Sequence, residues 1–175
     1  MKVLVYLHGT VIMHKSGESK TPAERRTQVL DENDKTIADF ENYVPIDNAN
    51  DVLTAWKAGG VEIVYMSPHK NEADLNKDRK VLERYNFPQG KIVHRAFFRG
   101  YRKIVKSELP DVIIEDDCES IGAMIKERYK FLPDPVVVLL KQKEMIYPCL
   151  QKDVKRKIKS IVVEEFSGID AIKLV

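Results

Sequence analysis

The chain has 175 residues, 43% hydrophobic and 32% charged, which suits one ordinary soluble domain that needs no disulfide to complete its core. Its 29 Lys and Arg stand against 27 Asp and Glu, a net charge of +2, so charge gives no argument for a nucleic-acid or membrane partner. Two cysteines, Cys118 and Cys149, form no metal spacing and no disulfide framework, and a reducing cytoplasm is the expected compartment.

Residues 3–7 are a continuous apolar run, the pattern of a strand buried on both faces. The run is too short for a signal-peptide core or a bilayer span, so no export is expected. It stops at His8-Gly9-Thr10, where Gly9 suits a tight turn. From 11 to 44 the signal weakens. Residues 15–27 are polar and read as a loop, and segments 27–30 and 35–40 flank the turn-forming 31–34, which predicts a small hairpin.

Ala49, Val52, Leu53 and Trp56 fall at i, i+3, i+4 and i+7, one face of an amphipathic helix with Asp47 or Asn48 as its cap and Gly59-Gly60 at its end. Residues 61–66 predict a second buried strand, landing on Ser67-Pro68-His69. A polar helix follows over about 71–85, touching the core through Leu75, Val81, Leu82 and Tyr85, and 91–94 form a weak third strand. Tyr101, Ile104, Val105 and Leu109 give another helical stripe, closed by Pro110. Residues 111–115 are a fourth strand that delivers Glu115-Asp116-Asp117 at its C-terminal end. Ile121, Met124 and Ile125 mark a further helix, 136–140 a fifth strand and 160–163 a sixth.

Strands alternating with helices predict the α/β class: a three-layer, Rossmann-like arrangement with a mainly parallel sheet and helices on both faces. No repeat or linker divides 1–175, so one domain is expected, with 11–44 as a small flap, no large cap, and 146–175 as a C-terminal extension. Such sheets bind ligands beyond their C-terminal strand ends, which singles out His8-Gly9-Thr10, Ser67 and Glu115-Asp116-Asp117.

Taken together these segments resemble the haloacid-dehalogenase superfamily, most of whose members are phosphohydrolases. The family's first motif is a strand followed by Asp-x-Asp-Gly-Thr; here Tyr6-Leu7-His8-Gly9-Thr10 has that setting. A strand ending in Ser or Thr is matched by Ser67, a basic residue opening a helix by Lys103 with Arg102 as rival, and an acidic pair at a strand end by residues 111–117. The likeness covers about residues 1–130. It implies phosphate binding by Thr10, Ser67 and Lys103 and magnesium on Asp116, with Asp117 or Glu115 as second choices.

The resemblance also implies what is missing. In the family the first Asp attacks phosphorus, the second is the general acid/base, and magnesium neutralises the phosphoryl charge. Here Tyr6 stands at the nucleophile's position and His8 at the acid/base's. A tyrosine with an ordinary pKa near 10 is protonated at neutral pH and a poor metal ligand, whereas an imidazole still exchanges protons. A weakened magnesium site is expected.

Three readings follow: a catalytically impaired protein binding a phosphorylated or anionic small molecule; an active phosphohydrolase using His8 and a metal-bound water; or another α/β binding domain. The short 11–44 excursion further implies an open pocket. His14, His69 and His94 match no metal-ligand spacing, although His69, two residues beyond Ser67, is placed to touch a ligand. The basic run at 152–159 reads as a solvated helix face, Phe97 and Phe98 as lining the pocket or equally as core, and Asp117 or Glu119 equally as a helix cap.

Overall fold

A computed structural model describes residues 1–31, 33–95, 101–116, 158–163, 169–170 and 172–174. Seven strands are present among them: β1 (Lys2–Tyr6), β2 (Ile12–His14), β3 (Tyr43–Pro45), β4 (Glu62–Ser67), β5 (Lys91–His94), β6 (Val112–Asp116) and β7 (Lys159–Val163). Four α-helices accompany them: α1 (Pro22–Leu30), α2 (Ala49–Ala58), α3 (Glu72–Arg84) and α4 (Tyr101–Glu108).

Five strands form one sheet in the order β5-β4-β1-β6-β7, and every pairing in it is parallel. The central strand β1 aligns Tyr6 with Met66 of β4 and Val5 with Ile114 of β6. From β1 the chain moves outward through β4 and β5, then returns to place β6 on the other side. The direction of winding therefore reverses between β1 and β6, where the strand ends leave a crevice in open α/β sheets.

Alternation along β1 sends successive side chains to opposite faces. Val3, Val5 and Leu7 pack with Leu53 and Trp56 of α2 and Val81 and Leu82 of α3. Leu4 and Tyr6 pack on the other face with Val64, Met66, Ile113 and, from α4, Ile104 and Val105. Helices thus cover both faces, as the alternating pattern predicts. A fully buried side chain such as Leu53 contributes about 1.5–3 kcal/mol. Asn48 holds the N-cap of α2 without a side-chain hydrogen bond to the helix.

The segment 11–44 differs from its sequence-based expectation. Residues 27–30 belong to α1 and Thr36–Ala38 to a 3-10 turn rather than to the two strands of a hairpin; β2 instead pairs antiparallel with β3, Met13 opposite Val44. Local chemistry explains the helix. Pro22 sits in its first turn, and a capping box links Thr21 to Glu24: the Thr21 N–H donates to Glu24 Oε2 at 2.7 Å and Thr21 Oγ1 accepts from Glu24 N at 3.3 Å. Only Arg25 of α1 is buried, so apolar periodicity could not reveal it. The expected helix around 121–125, the strand at 136–140, Asp117 and most of the C-terminal extension lie outside the described residues.

Candidate functional site

The turn after β1 brings the first site residues together. Gly9 has φ of 81°, the left-handed region a glycine enters freely, and the carbonyl of Leu7 accepts hydrogen bonds from Val11 N and Ile12 N at 2.9 and 3.0 Å. This tight reversal puts His8 at the strand end and turns Thr10 inward, where it is fully buried. Thr10 Oγ1 donates to Asp116 Oδ1 at 2.9 Å and accepts from Asp116 N at 3.1 Å. The pair ties β1 to β6 at the reversal in strand order.

On the β4 side a second cluster forms around Asp78, whose side chain is wholly buried. Ser67 Oγ donates to Asp78 Oδ2 at 2.7 Å and accepts from His69 N at 3.2 Å. His8 Nε2 stands 2.9 Å from Asp78 Oδ1, and His69 Nε2 lies 3.5 Å from the same oxygen. Burial alone would raise the Asp78 pKa, but the His69 and His8 imidazoles and the Ser67 hydroxyl outweigh it and hold the carboxyl well below the usual range. Asp78 is therefore a fixed anion at neutral pH.

Aromatic rings cover this cluster. The Tyr43 ring is 4.8 Å from that of His8, and Phe40 is 5.6 Å from His8 and 4.4 Å from His69. Lys77 lies over the outer face of Phe40, 5.6 Å from its centroid. The His8 side chain keeps 17% of its exposure and His69 8%. Phe40 and Tyr43, whose rings lie against these imidazoles, both come from the 11–44 excursion.

The remaining site residues fall as follows. Tyr6 is buried with Leu4, Val64 and Met66 on the α4 side of the sheet. Lys103 is exposed on α4, which packs on that same side, across the sheet from α3 and Asp78. Asp116 and Glu115 are both buried, and strand alternation gives them opposite faces: Glu115 shares the face of Ile113 and Tyr6, Asp116 that of Ile114. Thus His8 and Ser67 meet in one cluster, Thr10 and Asp116 in a second, and Lys103 in neither.

Asp78 was not singled out by the sequence. A signal was present: it sits three residues beyond Leu75 and three before Val81, an acid on the apolar stripe of α3.

A parallel five-stranded sheet of this kind has known counterparts. The class C acid phosphatase from Bacillus anthracis superposes over 95% of this chain and 67% of its own, with a TM-score of 0.56 and 18% identity. The fold is haloacid-dehalogenase-like. The same phosphatase with tungstate bound gives a TM-score of 0.56 at 17% identity over 95% of this chain and 68% of that one. A chain of the Pnkp1/Rnl/Hen1 complex gives 0.50 at 13% identity, over 94% of this chain and 46% of its own. At these identities the likeness to haloacid-dehalogenase-like proteins is one of fold. No family model matches the chain, and no curated protein does. Among the described residues, no helix is long and apolar enough to cross a membrane.

Phosphatases of this fold generally use magnesium, a hard cation that takes near-octahedral oxygen ligands. The described donors fit it poorly. Tyr6 offers a buried phenol rather than a carboxylate, Glu115 faces away from Asp116, and one Asp116 oxygen already accepts from Thr10.

Proposed function

We propose that this chain is a phosphohydrolase-related protein whose strand-end site binds a phosphorylated or anionic small molecule without forming an aspartyl-phosphate. The burial of Tyr6 carries this reading: at the nucleophile's position the side chain is a phenol 7% exposed among Leu4, Val64 and Met66. A phenol packed in the core does not supply the accessible carboxylate that an aspartyl-phosphate needs. His8 keeps 17% of its side-chain exposure, so its imidazole is within reach of a ligand at the strand end. That a structural neighbour is known with tungstate bound is in keeping with an oxyanion as the ligand. Magnesium affinity in this reading is weak and rests on Asp116 with Asp117. The protein acts as one cytoplasmic domain, with 11–44 as the flap over the site and 146–175 as an extension.

One observation favours a second reading, an active phosphohydrolase. A histidine held by a buried carboxylate, as His8 is by Asp78, is how general bases are oriented. Two measurements separate the readings. Turnover of p-nitrophenyl phosphate and nucleotide phosphates with magnesium should not exceed the protein-free rate. Calorimetric titration with inorganic phosphate or tungstate should show binding that His8→Ala weakens by at least about tenfold, the loss of one charge-assisted hydrogen bond. Turnover that vanishes in His8→Ala establishes the second reading; absence of both turnover and anion binding overturns both.

A further inference from the structure

The cluster around Asp78 contains more ligating capacity than its hydrogen bonds use. We infer that His8, His69 and Asp78 form a binding site for a divalent transition-metal ion of the zinc type, distinct from the magnesium position at Asp116. One donor atom from each residue lies within 4.8 Å of the others. Around a single zinc ion, with bonds of about 2.0–2.2 Å, neighbouring donors stand about 3.3–3.5 Å apart. The two edges to Asp78 Oδ1 are 2.9 Å from His8 Nε2 and 3.5 Å from His69 Nε2, on either side of that spacing.

A second observation points the same way. His69 is 8% exposed, and its Nε2 makes no hydrogen bond, although it is aimed at the carboxylate. A buried imidazole nitrogen left without a hydrogen bond is costly unless something else satisfies it. A metal ion would do so. The surroundings suit one: Ser67 Oγ fixes the second Asp78 oxygen, as outer hydrogen bonds fix ligating carboxylates, and Phe40 and Tyr43 exclude bulk water from one side. Two imidazoles and one carboxylate are a donor set for zinc, cobalt or iron and a poor one for magnesium or calcium. This inference does not depend on anion binding or turnover.

The test uses the full chain, stripped with chelator and dialysed, titrated with Zn2+ and separately with Co2+. Expected are one ion per chain by elemental analysis, visible cobalt absorption of a four-coordinate nitrogen and oxygen site, and at least about 100-fold weaker binding in His69→Gln. Ser67→Ala should weaken binding about tenfold through the carboxylate. His94→Gln and the double variant Cys118→Ser, Cys149→Ser control for other ligands and should leave the site intact. Circular dichroism checks that each variant is folded. No Zn2+ binding to wild type, or binding that a folded His69→Gln retains in full, overturns the inference; loss in the His94 or cysteine variants places the ion elsewhere and overturns it equally.

Discussion

Replacing Asp78 by Asn isolates what the buried carboxylate contributes. The substitution preserves shape and keeps one acceptor oxygen, enough for the 2.7 Å bond from Ser67. It replaces the other oxygen with an NH2 group, which faces the imidazoles of His8 and His69 and can no longer accept from His8. One charge-assisted hydrogen bond is worth about 1.5–3 kcal/mol, and a broken buried pair about 3–5, so a loss of about 2–3 kcal/mol is expected. With a urea dependence of about 2 kcal/mol/M, the unfolding midpoint at pH 7 falls by about 1 M while the slope is unchanged. The pH dependence has a definite sign. The folded-state pKa of Asp78 is depressed, so its stabilisation is fully present above the unfolded value near 3.9 and is lost as pH falls toward the folded one. Between pH 5 and pH 3 the gap between wild type and Asp78→Asn should therefore narrow by about 1 kcal/mol. A midpoint within about 0.2 M of wild type at pH 7, or a gap that does not change with acid, would refute the reasoning.

Other substitutions probe the frame around the site. Tyr6→Asp, which sets a carboxylate where the haloacid-dehalogenase motif has one, should yield no phosphatase and should lower thermal stability by several degrees, because it places a charge beside Leu4, Val64 and Met66; measurable turnover would contradict the proposed function. Thr21→Ala breaks the capping box of α1 and should cost about 1 kcal/mol, a fall of about 2–4 °C in Tm by calorimetry. Gly90→Ala would set a methyl 2.5 Å from the Ile63 carbonyl and 3.0 Å from the Tyr65 ring, so β4 or its neighbour must shift; about 1–3 kcal/mol should appear in urea unfolding. Phe40→Ala should raise hydrogen exchange in the 36–45 segment and expose His8 and His69 to chemical modification, since its ring lies 4.4 Å from that of His69.

The sheet was legible because its strands are apolar runs with a residue of chemical interest just past each one: His8 after β1, Ser67 ending β4, Asp116 ending β6. Burial on both faces demands such runs, and parallel connection demands the helices between them. The excursion was illegible for the opposite reason. Its helix α1 buries only Arg25, and β2 and β3 are three residues each, too short for periodicity to register. Its local signature, Thr21-Pro22-x-Glu24, was nevertheless in plain view. The site was half legible. His8, Ser67, Thr10 and Asp116 lie at adjoining strand ends as the motif order implies, but motif order is silent about partners. Ser67 binds Asp78 and Thr10 binds Asp116, both fixed by side-chain contacts across 11 and 106 residues of sequence. Lys103 followed from the motif too, yet α4 presents it to solvent.

A crystal structure of the full chain tests the central claim most directly, namely that the ends of β1 and β4 converge on the buried carboxylate of α3. It should place His8 Nε2 and Ser67 Oγ within hydrogen-bonding distance of opposite oxygens of Asp78, beneath Phe40 and Tyr43. A carboxylate turned to solvent, or His8 and Ser67 directed into separate regions, would contradict it.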